Sequence, residues 1–181
     1  MHSCGQIVII NGRAGVGKDT FVQFFAHHSD VDVFQWSSID TVKTAAMDVF
    51  DWEGEKDDAG RLFLSDLKAA WIRYSDGPLR ELCDKVNYYD RHFGRYVMFA
   101  HVREPEEIRK IVDIYAEADR RVVTLQIVSS RPEIGGTPDN ASDLGTGGYN
   151  YTYTIDNSGA VDCLETAARE LAYVWGYNGN G

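Results

Sequence analysis

Two hydrophobic rhythms take turns along this chain. Short apolar runs occupy 6–11, 31–36, 96–101, 121–128 and 151–155. Between them lie longer stretches whose apolar residues recur three and four positions apart. The first rhythm predicts buried strands and the second predicts amphipathic helices. The strands are therefore expected at Gln6–Asn11, Val31–Trp36, Tyr96–His101, Arg121–Val128 and Tyr151–Ile155. A first helix is expected over about Lys18–His28, with Phe21, Val22, Phe24 and Phe25 carrying its apolar positions. Ser37, Ser38 and Asp40 offer caps for a second helix that ends near Phe50, with Ile39, Val42, Ala46 and Val49 recurring at helical spacing. Pro105 opens another at its favoured first-turn position, with Ile108, Ile111, Val112 and Tyr115 inward. A last helix turns Val161, Leu164, Ala168, Leu171 and Trp175 inward.

Two segments break this alternation. Residues 51–57 form an acidic break, and an insertion then runs from Asp58 to about Gly94. It holds two helical stretches divided by Ser75-Asp76-Gly77-Pro78. Phe63, Leu67, Ala70 and Tyr74 share a face of the first; Leu79, Leu82, Val86 and Tyr89 share a face of the second. Residues 129–150, rich in Gly, Asp, Asn and Thr, are long for a plain connection and read as a lid-like loop or a disordered segment. Alternating strands and helices predict an α/β class protein. With right-handed crossovers, the expected fold is a three-layer α/β/α domain. Its five-stranded sheet should be mostly parallel, with the helical insertion between strands two and three. Residues 1–181 then form one domain, and a site is expected at the carboxyl ends of the strands.

The join between the first strand and the first helix reads Gly12-Arg13-Ala14-Gly15-Val16-Gly17-Lys18-Asp19-Thr20. Gly-x-x-x-x-Gly-Lys between a strand and a helix is the spacing of a phosphate-binding P-loop. Glycines there let successive N–H groups turn inward around phosphate oxygens, and the helix start adds its dipole. Lys18 supplies a mobile charge for the β- and γ-phosphates. Asp19 stands where Ser or Thr usually offers a hydroxyl to Mg²⁺, and a carboxylate can serve that ion directly or through water. The dinucleotide fingerprint fits poorly, because Thr20 occupies the place of its third glycine.

Composition narrows the field further. The chain has 181 residues, 44% of them hydrophobic and 25% charged, and a net charge of −10. That charge argues against general nucleic-acid binding. No apolar run approaches membrane-spanning length, and the first ten residues lack the features of a signal peptide. Cys4, Cys83 and Cys163 are scattered, which suits a reducing cytoplasm. The expected partners are small-molecule nucleotides, with no nucleic acid and no membrane; a homodimer is left open.

An acidic protein that binds phosphates must gather its cations locally. Arg103 follows the third strand and suits bidentate phosphate capture, unless Glu106 or Glu107 pairs with it. Arg131 opens the lid-like segment, where it either closes over a transferring phosphoryl group or stays solvated. Asp40 and Lys43 can pair with each other or reach an acceptor, and Arg61 on the insertion is a further candidate for an acceptor phosphate. The histidines at 27, 28 and 92 lack metal-ligand spacing. Trp71, Tyr74, Tyr88 and Tyr89 suit either a pocket for a base or core packing. No general base stands out, and transfer to a phosphate needs none, because the acceptor oxygen is already ionised.

Three stretches resemble the deoxynucleoside monophosphate kinase-like group of P-loop kinases. They are Gly12–Thr20, Ser37-Ser38-Ile39-Asp40-Thr41-Val42-Lys43-Thr44-Ala45-Ala46, and His101-Val102-Arg103-Glu104-Pro105-Glu106-Glu107. The turn Ile155-Asp156-Asn157-Ser158-Gly159 is similar to one near the adenine in many such kinases. The Gly-Lys-Asp variant is shared with animal phosphomevalonate kinases. The resemblance implies a cytoplasmic kinase with ATP and Mg²⁺ at Gly12–Thr20, the metal on Asp19 and Thr20. It places an acceptor near Asp40, Lys43 and Arg103, and adenine near Asn157. By fold analogy, 58–94 is the acceptor-binding lobe. His101 stands where the group has Asp. Two other readings stay open: a kinase for a non-nucleotide phosphate such as phosphomevalonate, and a non-catalytic nucleotide-binding or regulatory protein.

Overall fold

The computed structural model describes residues 5–55, 57–131 and 148–177. Eleven elements follow in order among the described residues: β1 (Gly5–Asn11), α1 (Lys18–His28), β2 (Asp32–Ser37), α2 (Asp40–Phe50), α3 (Asp58–Ser75), α4 (Gly77–His92), β3 (Tyr96–His101), α5 (Pro105–Glu117), β4 (Val122–Val128), β5 (Tyr153–Asp156) and α6 (Val161–Tyr177). The sheet order is β2-β3-β1-β4-β5, and every pairing is parallel. The expected α/β class, strand count and layering are all present.

The alternation of β1 feeds two cores at once. Val8 and Ile10 point into one layer, where α1 and α6 bring Phe21, Phe25, Leu164 and Ala168. Ile7 and Ile9 point into the other, where α4 and α5 bring Leu82, Val86, Ile108 and Ile111. A strand buried on both faces needs a continuous apolar run, which IVII supplies. Phe25 meets Phe99 edge-on at 5.0 Å and lies 5.6 Å from Trp175, locking α1 against the sheet and α6. The strand order reverses at β1, since β2 and β3 lie on one side of it and β4 and β5 on the other. That switch opens a crevice beyond its carboxyl end.

Several boundaries and faces differ from expectation. The 75–78 break contracts to one residue, Asp76, in the left-handed region at φ 48° between α3 and α4. No side chain caps α2: its N-cap is Ile39, and Asp40 sits inside the first turn, where its charge favours the dipole instead. Tyr74 is 91% exposed, so the buried line of α3 runs through Leu64 and Lys68. Val161 is likewise exposed, and Ala172 takes a place in the core. The aromatic pocket does not form: Tyr88 stacks on His92, and Tyr89 stacks on Phe34 at 4.0 Å. The lid-like loop falls mostly on 132–147, outside the described residues. No helix among the described residues is long and apolar enough to cross a membrane.

At the amino ends of the central strands, Arg120 ties four segments together. Its Nη1 donates to Asp90 Oδ2 at 2.7 Å, and Nη2 donates to the Gly5 carbonyl and the Tyr96 hydroxyl. Tyr96 in turn donates to Asp90 Oδ1. Burial and the neighbouring Asp90 push the Tyr96 hydroxyl up to about 12, so it stays a donor. The guanidinium lies over the Tyr96 and Tyr115 rings. Arg120→Met is expected to lose about 2–4 kcal/mol of stability in urea unfolding, because Asp90 is left without its cation. Its folded fraction should bind nucleotide as the parent protein does.

Candidate functional site

The loop between β1 and α1 takes a shape that only its glycines allow. Gly12, Gly15 and Gly17 have φ of 147°, 73° and 99°. A Cβ on Gly12 would lie 2.4 Å from the Ile127 carbonyl oxygen, and one on Gly17 would lie 2.8 Å from Asn157 Nδ2. Nothing lies within 4 Å of the Gly15 position, which marks the open mouth of the loop. Among the described residues, no backbone carbonyl takes the amides of Ala14, Gly15 or Gly17. Val16 N makes one long bond, 3.4 Å, to the Arg13 carbonyl. The hairpin is therefore an open nest of N–H groups.

Two asparagines hold that nest from outside. Asn11, the last residue of β1, is fully buried. Its Oδ1 accepts from Gly12 N at 2.6 Å, while its Nδ2 donates to the Arg103 carbonyl at 3.0 Å and to the Tyr151 hydroxyl at 2.6 Å. Asn157 donates from Nδ2 to the Val16 carbonyl, and its Oδ1 is buried with no partner among the described residues. Sequence reasoning missed Asn11 altogether. Its only signal was a polar residue closing an otherwise apolar strand.

Lys18 folds its ammonium into the loop, donating to the carbonyls of Gly12 and Arg13 at 2.7 and 2.8 Å. Asp19 and Thr20 are exposed on the first turn of α1. His101 is the meeting point of the remaining groups. Burial lowers its imidazole below the ordinary histidine value, and the charges that act on it are Asp19, Lys18, Asp40 and Arg103. Charges from the start of α1, from α2 and from the β3–α5 turn are thus near enough to act on one imidazole. His101 Nε2 lies 3.2 Å from Gln35 Oε1.

The other candidates divide by surroundings. Arg103 is exposed, and its guanidinium makes no hydrogen bond or ion pair among the described residues. Neither Glu106 nor Glu107 neutralises it. Lys43 and Asp40 pair with each other at 3.5 Å, one of the two arrangements left open for them. Arg61 sits on the first turn of α3 with Asp58 at 4.0 Å. Arg131 donates from Nε and Nη2 to the Asn157 carbonyl at 3.0 and 2.6 Å, on the β4–β5 side of the loop.

A buried cluster behind Arg103 also escaped the sequence. Lys68 of α3 donates to Glu104 at 2.8 Å and to Glu107 at 2.9 Å. Burial, then contact with Glu104, pushes Glu107 up to about 7; Glu104 is held below the usual carboxylate range by that contact and by Lys68, against the effect of its burial.

The loop fits a polyphosphate: open amides, a cation within it and a helix start behind it. For a divalent ion, the described residues hold no group of three or more His, Cys, Asp or Glu side chains. Asp19 and Thr20 would then share the ion with phosphate oxygens and water, as Mg²⁺ prefers.

No family model and no curated protein matches the chain. Solved structures do. A tunicamycin resistance protein from Deinococcus radiodurans is 14% identical at a TM-score of 0.56, with 94% of each chain covered. An APS kinase from Mycobacterium tuberculosis, in complex with AMPPNP and APS, is 11% identical at a TM-score of 0.50, with 92% of this chain and 95% of that chain covered. The chain accordingly shares its three-layer α/β/α fold with these proteins.

The raised Glu107 value has a signed consequence for stability. The folded protein holds that proton more tightly than the unfolded chain, whose carboxyl sits near 4.5. The contribution is complete below that value and is lost as pH rises toward 7. Unfolding midpoints of wild type, referenced to Glu107→Gln, should fall by the equivalent of about 1–3 kcal/mol between pH 4.5 and 7 and then level off. A flat difference would show Glu107 ionising normally.

Proposed function

We propose that the chain is an ATP-dependent phosphotransferase that moves the γ-phosphoryl group to a small phosphorylated acceptor, a nucleoside or deoxynucleoside monophosphate. The observation that carries this reading is the guanidinium of Arg103, unpaired among the described residues and acting, with Lys18 of the glycine loop, on the same imidazole. Two cations facing one crevice suit two anions brought together. The fold shared with an APS kinase supports the same class of chemistry.

In this reading the amides of 14–17 and Lys18 hold the nucleotide phosphates. Mg²⁺, held by Asp19 and Thr20 with the nucleotide, supplies charge neutralisation. Arg103 holds the acceptor phosphate, with Lys43 and Asp40 on the adjoining helix and Arg61 on the lobe formed by α3 and α4. Asn157, with its unsatisfied Oδ1, faces the adenine side, and Arg131 fixes its carbonyl there. Catalysis then rests on positioning and charge, because an acceptor phosphate needs no base.

A second reading rests on His101, which burial keeps neutral among the site charges. An imidazole without its second proton can take one from an alcohol, so a hydroxyl acceptor is the alternative. An ADP-release assay across monophosphates, nucleosides and phosphomevalonate separates the readings. The expected result is turnover with monophosphates alone, reduced at least 100-fold by Lys18→Ala, with Arg103→Ala raising acceptor KM more than ATP KM. Tight ATP binding without acceptor-dependent turnover would favour a nucleotide sensor instead.

A further inference from the structure

Lys68 is the least expected charge in the molecule. It lies midway along α3, only 9% exposed, with its ammonium between two carboxylates. An apolar side chain would fill such a place at less cost, because a buried ammonium gives up its hydration. Both partners belong to the turn that carries Arg103. Glu104 follows it directly, and Glu107 is one helical turn further on. They are the acids nearest in sequence, with Glu106, that would otherwise neutralise Arg103. Lys68 takes two of them, and Arg103 is left without a partner among the described residues.

The same contact joins two bodies that the proposed function needs to hold together. Lys68 comes from the helical insertion; Glu104 and Glu107 come from the core beside β3. A second tie runs nearby, from Lys110 of α5 to Asp76 at the α3–α4 junction at 3.0 Å. The carbonyl of Arg103 is meanwhile anchored to Asn11 below the phosphate loop. We propose that Lys68 is a positioning residue for phosphoryl transfer. By holding Glu104 and Glu107 it keeps Arg103 unpaired and sets the insertion at a fixed place beside the acceptor. The proposal rests on the reading of Arg103 given above.

One ammonium facing two carboxylates also makes the device sensitive to pH. The groups around Glu107 are Lys68 from α3, Glu104 from the turn, Asp76 and Lys110 across a cleft of about 30 Å³, and the neutral indole of Trp36 from β2. When Glu107 loses its proton, the cluster gains a negative charge next to the turn. The hold on acceptor should then weaken as pH rises through neutrality.

The test is steady-state kinetics on the full chain, with the monophosphate of highest turnover, from pH 6 to 9. Thermal midpoints and equilibrium binding of a non-hydrolysable ATP analogue are measured on the same samples. Lys68→Met should raise acceptor KM at least tenfold while the analogue Kd stays within twofold. Lys68→Arg should stay within threefold of wild type. Glu107→Gln should keep the low acceptor KM and flatten its rise with pH. Should Lys68→Met fail to fold, Lys68→Arg and Glu107→Gln still decide the matter through the pH profile. An unchanged acceptor KM in a folded Lys68→Met protein overturns the proposal. So does parallel loss of analogue binding, acceptor binding and thermal midpoint, which marks Lys68 as structural only. So does an undiminished pH dependence in Glu107→Gln. If wild type turns over no monophosphate at all, the reading of the site fails first, and the proposal falls with it.

Discussion

Everything at the working edge of this protein depends on holding a short loop in a conformation that side chains resist. Three left-handed or mirror-extended residues within six positions cannot persist by local preference. They persist because the loop is fixed at both ends and on both flanks. β1 cannot shift, since its residues from Ile7 to Asn11 are buried between β3 and β4 and between two apolar layers. α1 cannot shift, since Phe21 and Phe25 are fully buried. Asn11 and the Ile127 carbonyl close one flank; Asn157 and Leu164 close the other. The loop's amides stay open because other groups carry the cost of shaping it.

The second constraint is charge. Under the proposed function, a chain of net charge −10 has to present cations to anions without letting its own carboxylates quench them. Several of its acids are paired with other cations. Asp90 is spent on Arg120, Asp76 on Lys110, and Glu104 and Glu107 on Lys68. Arg103 then has no hydrogen bond or ion pair to its guanidinium among the described residues. The buried pairs are costly as stabilising devices, and their worth lies in what they leave exposed.

The framework was legible in the sequence because it rests on periodicity and on one motif. Runs such as IVII and YVMFAH announce buried strands, and β3 matches its expected bounds residue for residue. Gly-x-x-x-x-Gly-Lys places the loop, and its open amides follow from the glycines. Faces were less legible where a polar residue is buried. Lys68 turns α3 by a residue relative to the Phe63–Tyr74 line, and no apolar count could show that. Asn11 was hidden for the same reason: its partners lie 92 and 140 residues away. The fate of Arg103 turned on a third residue, Lys68, which lies 36 residues upstream of Glu104.

His101 sharpens the choice between acceptors. A carboxylate at the end of β3 would add a negative charge where, in the proposed function, two phosphates meet. A protonated imidazole would add a positive one. Burial removes the proton, so the position adds no net charge, and Lys18 and Arg103 act across it without competition. The imidazole is instead held by Gln35 from β2. If that contact commits Nε2 as a donor, only Nδ1 remains to accept a proton. A hydroxyl acceptor would then need to approach from the Nδ1 side. A phosphate acceptor needs only the two flanking cations, which are already in place. The arrangement therefore favours charge-matching over proton abstraction as the basis of transfer.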